Sequence, residues 1–473
     1  MAPRSPDACG ALLAIALAVN GAAAQTATTR FQTADGSHFV LIVDASIPQV
    51  HWAIATWADT AEEPAGCEGL ATAIQRVSLN GTWRTGSLDA TRERDALLQL
   101  DRSWQLLLRG SPEAPSAAAL LAQNEAALAL GDVTVFARVL AAAPSHRPEI
   151  AARGPTSVLT LTTLPAAIAN VGRLLVERRD EQAFRLLSQV WLETFAERVQ
   201  RHARDARNIV RAEVLALTMP DHGMARALDR PTPGRPTHDH VLAVWNATQR
   251  PERTVHVLLG DFEATLVRQT LEATFARTAL PPHRPTPTPL PRPLTGTRRS
   301  TVVAAGPPSV TMAWSLPPGV DRFALATASR WWAEGPDSQL GQQLQRSGRK
   351  LAAVTCVAPW PPTTDGSSLL LIEVTDDGGL DGLADLLVNA CRKVASTAPT
   401  DATLQPVTTS LQREWRAANG DPRALVAEIA SQALVWPRQA ITRDWPERTD
   451  PKAVLELLTK TFAGHPVIVE AKP

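Results

Sequence analysis

The chain is expected to fold as α+β, in two related halves whose helices pack on mixed or antiparallel sheets. Three observations lead there. Segments with strand spacing and segments with helix spacing alternate along the chain, and they do so in two similar blocks. Between the blocks, Pro281 to Pro293 holds seven prolines in thirteen residues. It has too few backbone donors for a helix or central strand and reads as a stiff, extended linker. Finally, 473 residues with 44% hydrophobic and 20% charged side chains allow a large core.

Charge excludes some functions. Lys+Arg and Asp+Glu balance at 47 each, so no global field draws nucleic acid or an anionic membrane. Residues 1–24 read as a secretory signal: a basic start at Arg4, an apolar run from Ala8 to Val19, then Ala22 to Ala24 before Gln25. Export to a periplasm, or secretion, is therefore expected. No later run reaches the roughly 18 apolar residues of a membrane span. Cys9 leaves with the signal. Cys67, Cys356 and Cys391 remain, an odd number without C-x-x-C spacing, so no disulfide can be named.

In chain order, His38 to Val43 and His51 to Trp57 read as adjacent strands joined by a turn at Pro48. Gly69 to Thr82 reads as a helix stopping at Asn80-Gly81. Its Leu70, Ala73, Ile74 and Val77 form an apolar stripe, and Thr72, Gln75 and Arg76 share one side. Residues 88–143 are helical in pattern, broken once between Ser111 and Pro115. Thr156 to Thr163 alternates apolar and hydroxyl residues, as a strand with one solvated face does.

Helices are expected from Ala166 to Arg178 and from Glu181 to Leu217, the latter with Glu193, Glu197, Asp205 and Glu213. His238-Asp-His240 opens a further helix as a cap. Two His at i and i+2 point the same way only on a strand. Thr254 to Leu259 is a strand, and Ala264 to Phe275 a helix. The second block gives strands at Ser309 to Leu316, Ser367 to Thr375 and Pro466 to Glu470. Its helices are Asp321 to Glu334, Leu380 to Val394, Ala402 to Ala417, Pro422 to Val435 and Pro451 to Phe462.

Two stretches carry a resemblance to a known family. Gly69-Leu-Ala-Thr-Ala-Ile-Gln-Arg76 running into Leu79-Asn-Gly-Thr82 resembles the signature helix of the pitrilysin/insulinase zinc peptidases, G-L-A-H-x-x-E-H followed by x-G-T. Pro251 to Phe262 resembles that family's Y-x-P-x-x segment, buried strand and Gly-Asp-Phe, which close the first half of a member. The resemblance implies a clamshell of two related halves around a chamber. These are residues 25–280, with a helical insertion at 88–143, and residues 301–473, joined by a linker at 281–300.

In that register the two zinc-binding His fall on Thr72 and Arg76, and the catalytic Glu falls on Gln75. A neutral hydroxyl is a poor zinc ligand. An amide accepts no proton as a general base, and a guanidinium has no lone pair to donate. Arg211-Ala-Glu213-Val-Leu resembles the late helix that holds the third ligand, which makes Glu213 the candidate remnant ligand; a surface or ion-paired Glu is the other reading. An Arg76–Glu213 pair would then put a guanidinium where zinc would sit.

The family's substrate-pairing edge strand falls near Thr160, without its Asn. Backbone pairing does not need the Asn, so a peptide could still add there; an ordinary sheet strand is the other reading. The substrate-gripping Arg falls on Arg346, but its Tyr partner falls on Ala353, and the chain has no Tyr. The resemblance therefore implies a catalytically inactive homologue without zinc, the non-catalytic partner of an active pitrilysin-like subunit in peptide degradation. Two alternatives stand beside it. One is an active zinc peptidase in which His51 or His240 reaches Glu213. The other is a module that binds peptides without cutting them.

Overall fold

A computed structural model describes residues 28–57, 63–141, 146–153, 156–204, 206–220, 224, 236–276, 294–335, 337–349, 351–360, 368–437, 439 and 443–473. The expected signal at 1–24 and the proline run at 281–293 lie outside the described residues.

The first sheet has six strands: β1 (Thr28–Gln32), β2 (His38–Val43), β3 (Val50–Trp57), β4 (Glu149–Arg153), β5 (Thr156–Thr163) and β6 (Thr254–Gly260). Their order is β1-β2-β6-β3-β5-β4. β2 and β3 are therefore not neighbours, contrary to the sequence expectation. β6 lies between them, parallel to β2 and antiparallel to β3. Its reason is burial: β6 is buried along its whole length and takes the centre, where both faces are covered. Gly260 permits the close approach, since a Cβ there would lie 2.3 Å from the Gln49 carbonyl oxygen.

The second sheet has five strands, in the order β7-β11-β8-β10-β9. They are β7 (Arg298–Val303), β8 (Ser309–Ser315), β9 (Leu351–Trp360), β10 (Leu369–Asp376) and β11 (Val467–Lys472). Like the first, it is mostly antiparallel with one parallel pair, β7 with β11. The fold is α+β in two sheet-and-helix layers of related plan.

Each half lends a helix to the other. Helices α1 (Leu70–Val77), α2 (Ala90–Leu108), α3 (Ala117–Leu128), α4 (Val135–Leu140), α5 (Ile168–Asp180) and α6 (Leu187–Arg204) stay with the first half. α7 (Ala206–Thr218) does not. Its Val210, Val214 and Leu215 pack against Ala313, Leu371 and Val469 of the second sheet, and Arg211 pairs with Glu373 at 2.8 Å.

In return, the second half's α14 (Pro422–Val435) covers the first sheet. This follows α8 (His238–Thr248), α9 (Ala264–Thr274), α10 (Arg322–Ala333), α11 (Gln339–Arg346), α12 (Leu383–Val394) and α13 (Asp401–Ala418), and precedes α15 (Pro451–Phe462). Leu425, Val426, Ile429 and Ala430 of α14 meet Val40, Ala53, Ala55 and Val257. α5 and α9 cover the opposite face of that sheet.

The exchange explains a second departure. β5 is buried on both faces, not solvated on one, because α14 lies over its hydroxyl side. Thr160 and Ser431 show the contact: Arg423 Nε donates to Thr160 Oγ1 at 3.1 Å, and Thr156 Oγ1 bonds Ser431 Oγ at 3.1 Å.

Candidate functional site

α1 is shorter than its sequence pattern, and its start is set by a left-handed turn at Gly69, φ 103°. The free N–H groups at its N-terminus meet a buried carboxylate. Gly69 N donates to Glu63 Oε2 at 3.0 Å, and Ala71 N to Glu63 Oε1 at 2.7 Å. Burial nonetheless raises the Glu63 pKa to about 7. The apolar stripe packs as expected: Leu70, Ala73 and Ile74 meet Trp191, Val244 and Trp245. After α1 the chain turns at Gly81, φ 104°, where a Cβ would collide with Arg185 Nη1 at 2.3 Å. Arg185 itself is fully buried against Glu93, and binds the Asn80 and Thr82 carbonyls.

Gln75 points inward. Its Oε1 accepts from Arg178 Nη2 at 3.0 Å, while its Nε2 is buried without a partner. Arg178 also donates to Ser78 Oγ at 2.7 Å and to Gln249 Oε1 at 3.2 Å. Burial lowers the Arg178 pKa to about 10, and its acceptors here are all neutral.

Arg76 points outward, toward α6. Its Nη2 and Nη1 donate to Glu197 Oε2 and Oε1 at 2.8 and 3.0 Å, a bidentate clasp. Nη1 also reaches Thr194 Oγ1 at 3.3 Å. Both partners remain partly exposed.

The expected Arg76–Glu213 pair does not form. Glu213 lies on α7, with the second sheet, and accepts from Ser300 Oγ at 2.6 Å. Glu197 stands on the helix packed beside α1 and takes the carboxylate's part. The sequence places Glu197 among the acidic residues of its helix region, but the Arg-Ala-Glu resemblance points to Glu213 instead. The one signal was Thr194 and Glu197 three apart on a single face.

These residues do not fit a zinc ion. α1 does not gather Thr72, Gln75 and Arg76 on one side as their spacing suggests: Thr72 offers only a hydroxyl, the Gln75 amide is held in the core by Arg178, and the Arg76 guanidinium is held outside by Glu197. Among the described residues, no group of three or more His, Cys, Asp or Glu could hold a metal. The relocated set is not gathered either. His51 Nδ1 meets Thr162 Oγ1 at 3.2 Å on the first sheet. His240 lies in the capping box of α8 with Thr237, as the sequence expects for that pair of His.

Thr160 is not on an edge. β5 pairs with β3 on one side and β4 on the other, and Arg423 occupies both the Thr160 hydroxyl and its carbonyl. The short β4, Glu-Ile-Ala-Ala-Arg, has little strand signal and was missed; it forms the edge instead. Arg346 ends α11 and is exposed, and Ala353 lies on β9. Cys356 and Cys391 carry free thiols. No helix among the described residues is long and apolar enough to cross a membrane.

The sequence matches no protein-family model and no curated protein. The structure does match solved ones. A protease from Helicobacter pylori aligns with TM-score 0.65 at 13% identity, over 95% of this chain and 100% of that one. A peptidase M16 inactive domain from Pseudomonas fluorescens aligns with TM-score 0.63 at 15% identity, over 94% and 98%. The chain has the M16 peptidase fold. An M16-like protein from Alicyclobacillus acidocaldarius aligns similarly, with TM-score 0.56 at 12% identity, over 94% and 98%. The alignments span nearly all of this chain, so the M16 fold extends across both sheets and the exchanged helices.

Proposed function

We propose that this chain is a catalytically silent M16-like protein, the non-catalytic partner of an active zinc peptidase subunit in peptide degradation. The Arg76–Glu197 clasp carries the reading. It holds a cation where the resemblance puts a zinc-binding imidazole. At 4 Å and an effective dielectric of 20, that cation opposes a divalent ion by about 8 kcal/mol. Gln75 supplies no base. The scaffold around both is kept, so the chain can still form half of a chamber whose chemistry lies in another subunit. A fold neighbour that is itself an inactive M16 domain supports this. The expected signal at residues 1–24 puts the pair in a periplasm or outside the cell.

Co-expression with a chain of this fold that carries an intact H-x-x-E-H tests the proposal. The two should elute together and cleave a fluorogenic peptide, while this chain alone should not. Cleavage by this chain alone, or separate elution with undiminished activity of the other chain, would overturn it. A second reading, peptide holding without hydrolysis, draws on β4. Among the described residues β4 pairs with β5 alone, which leaves one side of its backbone for an added strand. Peptide binding by the isolated chain would favour that reading.

A further inference from the structure

A cavity of about 740 Å³ lies between the helical insertion and helices α6 and α8, within the size range of small-molecule sites. Leu100 and Trp104 of α2, Leu120 of α3, Leu192 of α6 and Val241 of α8 line it.

Its polar lining is specific. Gln182 is buried, and its Nε2 is committed to the Gly81 carbonyl at 3.0 Å. That leaves Oε1, buried and without a hydrogen-bond partner, as the group it can offer. Asp101 is half-buried and accepts from Gln105 Nε2 at 2.9 Å. Glu193 adds a second carboxylate. Against them stand His238 and Arg94, whose guanidinium lies 4.9 Å from the centre of the Trp83 ring.

The wall is also strained. Phe184 and Leu186, both lining residues, have φ of 52° and 63°, a region bulky side chains rarely adopt. Strain of this kind persists where its surroundings enforce it, and it clusters at binding sites. Here Arg185, between them, is anchored by Glu93 and two carbonyls on the side of α1.

We infer that this cavity binds a small amphipathic amine, its apolar body among the leucines and Trp104, its donor head toward the acceptors of Gln182 and Asp101. The inference is independent of the Arg76–Glu197 reading.

Nile red fluorescence on the purified chain tests it, with decylamine and decanoate as competitors below their micelle concentrations. Nile red should bind saturably, and decylamine should displace it at about tenfold lower concentration than decanoate, a difference of about 1.4 kcal/mol. Asp101→Asn should keep Nile red binding and lose the preference for the amine. Leu97→Trp, which fills the cavity from α2, should weaken Nile red binding. Leu121→Glu, at an exposed lining position, should do the same if the first variant does not fold. Absence of saturable binding to the folded wild type, equal displacement by amine and acid, or wild-type binding in a folded variant of Leu97 or Leu121 would each overturn it.

Discussion

The Gln75 amide oxygen accepts a hydrogen bond from the buried Arg178 guanidinium at 3.0 Å. One step along the helix, Arg76 turns the other way and clasps Glu197. Of these two adjacent residues, one faces the core and the other braces α6.

Arg178 lacks a carboxylate among its hydrogen-bond partners, so Gln75→Glu should give it one. A hydrogen bond to a charged acceptor contributes about 1.5–3 kcal/mol. The variant should unfold at higher urea than wild type at neutral pH, and still bind no zinc, because Arg178 captures the new carboxylate. A lowered urea midpoint would show that the site does not accept a charge.

Arg185 and Glu93 are both buried and tie α2 of the insertion to the turn after α1. Removing one partner leaves an uncompensated buried charge, at a cost of about 3–5 kcal/mol. Glu93→Ala and Arg185→Ala should each lower stability by that order in denaturant titrations. The double variant should cost less than the two added together.

His256 sits between Phe39 and Phe275, where its Nδ1 accepts from Trp52 Nε1 at 3.3 Å. Burial lowers its pKa from 6.5 to about 3. The unfolded chain therefore takes up this proton near pH 6.5, and the folded chain only near pH 3. The stability it contributes is complete above pH 6.5 and is lost as pH falls toward 3, about 2–3 kcal/mol of it by pH 4.5. His256→Gln keeps an acceptor for Trp52 and should flatten the fall in melting temperature between pH 7 and 4.5. An unchanged slope would contradict this.

The Arg76–Glu197 clasp is partly exposed, so its contribution to stability is small. A double-mutant cycle of Arg76→Ala and Glu197→Ala should give a coupling of about 0.2–1 kcal/mol, falling with added salt.

Much of the fold was legible because burial follows local period. The stripe on α1, the strand ends at His38 and Val43, and helix α14 all follow from spacing or from Pro and Asp caps. Partners were harder to read. Nothing in the period of α7 or α14 says that each crosses to the other half's sheet, or that β6 separates β2 from β3. At the site, the poor zinc chemistry of Thr72, Gln75 and Arg76 was legible as three residue types on one helix. Glu197 was not, because its link to Arg76 is tertiary and bridges an inserted helical segment.

The zinc content of the purified chain, measured by mass spectrometry after equilibration with zinc and removal of loosely held metal, tests the central claim most directly. The clasp of Arg76 and Glu197, with Thr72 and Gln75 beside it, predicts far less than one zinc per chain. One tightly held zinc per chain would contradict it.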